Sequence, residues 1–181
     1  MSRADVVCCA RQRCHAGGVT EQTPDAFTHL DEAGHARMVD VTAKQPTVRS
    51  ATARGFVRCS PRVIAALRDG TVPKGDVLAV ARVAGIAAAK RVPDLLPLAH
   101  VIGIHGVVVN LAVEDEGVEI EATVRTADRT GVEMEAITAV AIAGLAIVDM
   151  VKGLDKATSL EFARIMSKTG GKSGDWARPD A

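Results

Sequence analysis

The stretch "GVEMEAITAVAIAGLAIVDMVK", Gly131 to Lys152, constrains the fold of this chain more than any other. Its apolar residues cover nearly the whole circumference of a helix, so a helix formed here must be buried on most sides. Ala139, Ala143 and Gly144 are small enough to let a second backbone approach closely. A sheet covers only one face of such a helix, and a single subunit has little left to cover the rest. A homo-oligomer is therefore expected. Charged residues are confined to the ends, with Glu133 and Glu135 near the start and Asp149 and Lys152 near the finish. Glu135 and Asp149 stand about 40° apart around the axis but roughly 21 Å apart along it. One helix cannot bring both to one small substrate. Two helices packed antiparallel across a dimer can.

Charged residues at helix ends ordinarily do no more than solvate them. Asp149 differs, because it follows a long apolar run and precedes Met150 and Val151. Burial is expected to raise its pKa while Lys152, one turn on, lowers it again. Opposed perturbations of that kind suit a general acid or base.

The other elements have simpler signals. "ATARGFVRC" reads as a strand. "SPRVIAALRDG" carries helix signals, with Ser60 as N-cap, Pro61 in the first position and Gly70 past the last turn. "KGDVLAVARVAGIAAAKR" is a second helix with Val77, Val80, Ala81, Ala84 and Ala88 on its buried stripe, stopped by Pro93. "IHGVVVNLAV" and "GVEIEATVRTA" are strands joined by a hairpin turn at 114–117. In the second of them Val118, Ile120, Ala122 and Val124 face inward, so the sheet has one solvated face. "TSLEFARIMSK", 158–168, is the last strand. Residues 28–50 read as irregular, and 1–26 as a mobile extension ahead of a single domain over 27–181. The order is strand, two helices, strand, strand, helix, strand. That is an α+β, ferredoxin-like split β-α-β subunit with an extra helix in the first crossover.

Charge excludes some classes of function. With 22 basic and 22 acidic residues there is no net field to draw nucleic acid or an anionic membrane. Phe27, Phe56, Phe162 and Trp176 are the only aromatic residues, too few for base-stacking platforms. The cluster of Cys8, Cys9, Cys14 and His15 has no common zinc spacing, so no metal or other cofactor is expected. "VVCCA" is too short for a signal sequence. The longest apolar stretch, 136–151, is interrupted by Asp149 and falls short of a bilayer span. A soluble cytoplasmic protein is expected.

The remaining candidates lie at joints between elements. Lys74 of "PKGD" stands at the mouth of the second helix, where free backbone N–H groups suit an anion. "PDLLPLAH" is a proline-bounded loop ending in His100. "SKTGGKSGD" places Lys168 and Lys172 around glycines. It is not a nucleotide-binding P-loop, because the position that must be glycine is Met166 and no helix follows. Several cations with one embedded carboxylate describe a site for a phosphate-bearing substrate.

Taken in order, "MVDVTAK", "KGDVLAVARVAGIAAAKR", "DLLPLAH", "TGVEMEAITAV", "DMVK" and "SKTGGKSGD" closely resemble the MoaC family of molybdenum-cofactor biosynthesis, from about Thr28 to Asp175. The resemblance implies a ferredoxin-like subunit in a homohexamer, a trimer of dimers with active sites at the dimer interface. It implies conversion of (8S)-3′,8-cyclo-7,8-dihydroguanosine 5′-triphosphate to cyclic pyranopterin monophosphate and pyrophosphate. By the same resemblance Asp149 is the catalytic acid/base, with Lys152 and Lys74 beside it. Leu98, Ala99, His100, Met134 and Glu135 fall on substrate-contacting positions, and Glu133 and Lys168 line the site. Lys172 joins them in a phosphate-facing flap. Where the family commonly has "LCHP" this chain reads "LAHV", Leu98–Val101. The competing expectation is a paralogue that binds a nucleotide or pterin without turning it over.

Overall fold

Alternation decides the sheet. In the computed structural model, which describes residues 33–179, strand β3 (Gly117–Asp128) buries Val118, Ile120, Ala122 and Val124 completely. Its Glu119, Glu121 and Arg125 lie on the opposite, solvated face. The extension over 1–26, with Cys8, Cys9, Cys14 and His15, lies outside the described residues. β3 pairs with β2 (Gly106–Val113) on one side and with β1 (Thr47–Arg58) on the other. Beyond β1 come β4 (Ser159–Thr169) and a two-residue β5 (Trp176–Ala177). The sheet therefore runs β2-β3-β1-β4-β5, with every neighbouring pair antiparallel. The fold is α+β, a five-stranded antiparallel sheet with helices packed against it.

Among the described residues four helices complete it: α1 (Pro61–Arg68), α2 (Val77–Ala89), the single turn α3 (Val92–Leu95) and α4 (Glu133–Val151). α4 packs on β1, β3 and β4, and α2 packs on α4 and β2. The free face of the sheet is laced by Arg54–Glu121 and Arg58–Glu116 ion pairs, at 2.7 and 2.9 Å, which keep it wet. The core is built from Val, Ala and Ile, and small side chains cohere only when backbones come close. Gly85 makes this possible between the two long helices. A Cβ there would stand 2.9 Å from the Ala139 carbonyl oxygen and 3.3 Å from the Ala143 methyl.

Some expectations need correction. The buried stripe of α2 is Val77, Ala81, Gly85, Ala88 and Ala89, whereas Val80 is 45 % exposed. The stripe is rotated because Gly85, having no side chain, is the point of closest approach to α4. The first strand starts at Thr47, inside the segment read as irregular. α4 does bury Ala136, Ala139, Val140, Ala143, Ile147 and Val151 fully, but Met134, Leu145 and Asp149 stay exposed along one side. Counted from Glu133, α4 has 19 residues and by length and composition alone could cross a bilayer. Its fully buried residues pack against the sheet and α2, as in a core helix.

Candidate active site

The two ends of α4 build two different chemical environments. At its start, Glu133, Met134 and Glu135 form the first turn and face a cleft of about 600 Å³. Leu98, Ala99 and His100 reach the same cleft from the loop after α3, and Lys168 reaches it from the end of β4. The cleft thus gathers seven of the residues proposed from sequence.

Glu135 is the unusual group. It is only 3 % exposed, and burial pushes its carboxyl up to about 7, helped by the charge of Glu133 and opposed by a backbone N–H. A carboxyl in that range exchanges protons near neutral pH. Lys168 donates to Ser173 Oγ at 2.7 Å and lies 3.3 Å from Glu133 Oε1. His100 Nε2 is 2.6 Å from the Val39 carbonyl, so Nε2 carries the proton and Nδ1 is left to the cleft. That bond fixes the His100 ring although Val101 takes the place of the usual proline.

At the far end of α4, Asp149 accepts from Lys152 at 2.7 Å and from Lys74 at 3.0 Å. Lys74 Nζ also donates to the Asp149 backbone carbonyl at 2.7 Å. The three charges make one compact cluster. Asp149 is not embedded, however: its side chain is 58 % exposed, because it lies on the side of α4 shared by Met134 and Leu145, turned away from Ile147 and Val151 in the core. Hydrogen bonds from Lys152 and Lys74, reinforced by their charges, hold the carboxyl below its ordinary range. Of the two expected opposing influences, burial is the weaker, and the lysines dominate. At the mouth of α2 the Asp76 side chain caps the helix by accepting from the Ala79 N–H, so one of the N–H groups expected to be free for an anion is already taken.

The MoaC family profile matches residues 38–171 of this chain. The chain belongs to the MoaC family. Among its relatives, the cyclic pyranopterin monophosphate synthase of Streptomyces coelicolor is 57 % identical over 161 residues, 89 % of this chain and 95 % of that one. The protein of the same name from Nocardioides sp. is 58 % identical over 160 residues, 87 % and 98 % of the two chains. The cyclic pyranopterin monophosphate synthase 2 of Mycobacterium bovis is 48 % identical over 163 residues, 90 % and 98 %.

Within this MoaC chain, sequence reasoning missed some of the cleft. Lys44, Arg49, Ser50, Thr130 and Ser173 also line it. Lys44 and Ser173 stand in quoted motifs, which was a usable signal. Arg49 had none. It is aimed by its Nε donating to the Asp128 carbonyl at 3.0 Å and its Nη2 to the Arg129 carbonyl at 3.2 Å, and those carbonyls lie at the end of β3 and just past it, far along the chain. Lys172 was named from sequence, but it is exposed and lies outside the cleft lining. Among the described residues no group of three or more His, Cys, Asp or Glu side chains is arranged to hold a metal ion.

Proposed function

We propose that this chain is a cyclic pyranopterin monophosphate synthase, a lyase of molybdenum-cofactor biosynthesis that acts on the cyclised dihydro-GTP triphosphate. The observation that carries this is identity of 48–58 % with synthases of that name over nearly the full length of both chains. Every acid, base and cation that the family resemblance requires is also present. Making a cyclic monophosphate from a triphosphate forms a new P–O bond at the α-phosphorus and breaks the bond to pyrophosphate. The attacking hydroxyl loses a proton, and opening one ring and closing another moves several more. Asp149, ionised between two lysines, is the acceptor in this reading, and Lys152 or Lys74 returns protons. Lys44, Arg49 and Lys168 offset the charge of the phosphates, and the His100 ring is held against the same cleft by its bond to the Val39 carbonyl. Leu98, Ala99, Met134 and the carboxylates of Glu133 and Glu135 hold the base and sugar.

The cluster and the cleft lie at opposite ends of α4, about 21 Å apart by helical rise. A shared site therefore needs a second copy, its α4 running antiparallel, so that one subunit's cluster meets the other's cleft. Exposed Met134 and Leu145 on α4, with Val80 and Val83 on α2, supply an apolar strip for that contact. Three such dimers make the proposed homohexamer. The strand order β4-β1-β3-β2 with helical crossovers on one face supports a ferredoxin-like subunit in which α1 and α2 share the first crossover. A cytoplasmic location goes with a substrate derived from a nucleoside triphosphate.

The test is pyrophosphate release on adding the cyclised dihydro-GTP to purified protein, with mass analysis of the pterin. Release with formation of the cyclic monophosphate is expected. Tight binding without release would replace this reading with a non-catalytic paralogue.

A further inference from the structure

Of the two lysines in the glycine-rich hairpin from Lys168 to Trp176, Lys168 lines the cleft and Lys172 lies outside it. The hairpin backbone is tightly specified. Lys168 pairs with Trp176 and Ser167 with Ala177. The Gly170 N–H donates to Asp175 Oδ1 at 2.9 Å, and the Gly174 N–H to the Gly171 carbonyl at 3.2 Å. Gly170, Gly171 and Gly174 hold φ of 83°, 80° and 67°, where a side chain is strained. A Cβ on Gly170 would also press into the Val48 carbonyl, and one on Gly171 into the Arg49 guanidinium. The hairpin therefore lies flat against the start of β1 along one path. That path brings Ser173 Oγ to 2.7 Å from Lys168 Nζ at the rim of the cleft.

An ammonium has three N–H donors on a flexible four-carbon stem. Lys168 directs one to Ser173 and one toward Glu133, which leaves the third for a ligand. Two fixed acceptors on different elements define one position for a charge that would otherwise swing. We infer that Ser173 is a positioning residue: its hydroxyl, with the Glu133 carboxylate, fixes the Lys168 ammonium over the cleft to receive a phosphate of the substrate. The hairpin glycines serve to place that hydroxyl. This rests on the reading of the substrate as a phosphate ester.

A double-mutant cycle on the full-length protein tests it, using Ser173→Ala, Lys168→Met, the double variant, and Ser173→Thr. Calorimetry reads the affinity for inorganic pyrophosphate, and steady-state release from the cyclised substrate reads kcat and KM. Ser173→Ala is expected to weaken pyrophosphate binding and raise KM by about tenfold, as for a lost charge-assisted hydrogen bond, at an unchanged melting temperature. Ser173→Thr keeps the hydroxyl and should stay within about twofold of the parent, and on the Lys168→Met background Ser173→Ala should add less than about twofold. Equal losses in both backgrounds, no loss in either, or a threonine variant as poor as alanine would overturn it. The pyrophosphate arm does not need turnover. A coupled cycle in a protein that releases no pyrophosphate would end the synthase reading and leave the role of Ser173 standing.

Discussion

Asp149→Asn is expected to lower turnover by about 10²–10⁴-fold, the range for loss of a positioned proton-transfer group. Substrate affinity and the elution volume of the assembly should change little. The geometry makes this a clean substitution. Lys74 keeps its bond to the residue-149 backbone carbonyl, at 2.7 Å in the parent, so it stays close to its present position when the carboxylate becomes an amide. Lys152 loses only the partner that it holds at 2.7 Å. The side chain is more than half exposed, so no buried charge is orphaned and the fold should tolerate the change. What disappears is a proton acceptor kept ionised, below the ordinary carboxylate range, by the two lysines. Steady-state pyrophosphate release, equilibrium binding and gel filtration check the three parts. Turnover within tenfold of the parent would remove Asp149 as the acid or base.

Glu135→Gln should act in opposite directions on stability and on activity. The Glu135 carboxyl titrates at about 7 in the folded protein, raised from 4.5 chiefly by burial. A raised carboxyl pKa means that the folded state binds the proton more tightly than the unfolded state does. Its contribution is therefore fully present below about 4.5 and is lost as pH climbs through about 7. Over that window the parent should lose up to about 3 kcal/mol, taking 1.36 kcal/mol per pKa unit as an upper bound. Glutamine carries no proton to lose, so the variant should lack this slope and be the more stable protein at pH 8. Turnover should nevertheless fall, by about 10–10³-fold, because a neutral amide neither accepts a proton nor pairs with a cation. Urea midpoints at pH 5 and pH 8, set beside kcat at both, check the pair of effects. An unchanged pH slope in the variant would show that the buried carboxyl is not the group responsible.

The legible parts of this protein are those fixed by local pattern. Alternation in β3 and the near-continuous apolar circumference of α4 specify both elements, and their burial follows the residues named. The stripe on α2 was displaced because an Ala-rich helix has almost no amphipathic contrast, and the decisive residue is Gly85, whose contribution is the absence of a side chain. The start of β1 was hidden because Thr47–Ser50 become a strand only by pairing with Arg125–Asp128 and, at Ser50, with Thr169. Arg49 was invisible for the same reason. Exposure at Asp149 could not be read from its apolar neighbours, since it depends on which side of α4 the sheet and α2 leave uncovered. Lys172 lies outside the cleft lining and Ser173 within it, and the hairpin path that separates them is set by three left-handed glycines, which spacing does not reveal. Where the site depends on pairing and on backbone path, composition and spacing are silent; where it depends on residue type in a motif, they name the groups.

In the proposed dimer the Asp149 cluster of one subunit works on substrate held in the Glu135 cleft of the other. Co-expressing Asp149→Asn and Glu135→Gln chains in one cell, and assaying the purified mixture for pyrophosphate release, tests it most directly. Each variant alone should keep no more than about a tenth of the parent turnover. With random pairing, half of the dimers are mixed and each mixed dimer has one intact site of two, so the mixture should regain about a quarter of the parent activity. A mixture as inactive as its components, beside a fully active parent, would contradict the shared site.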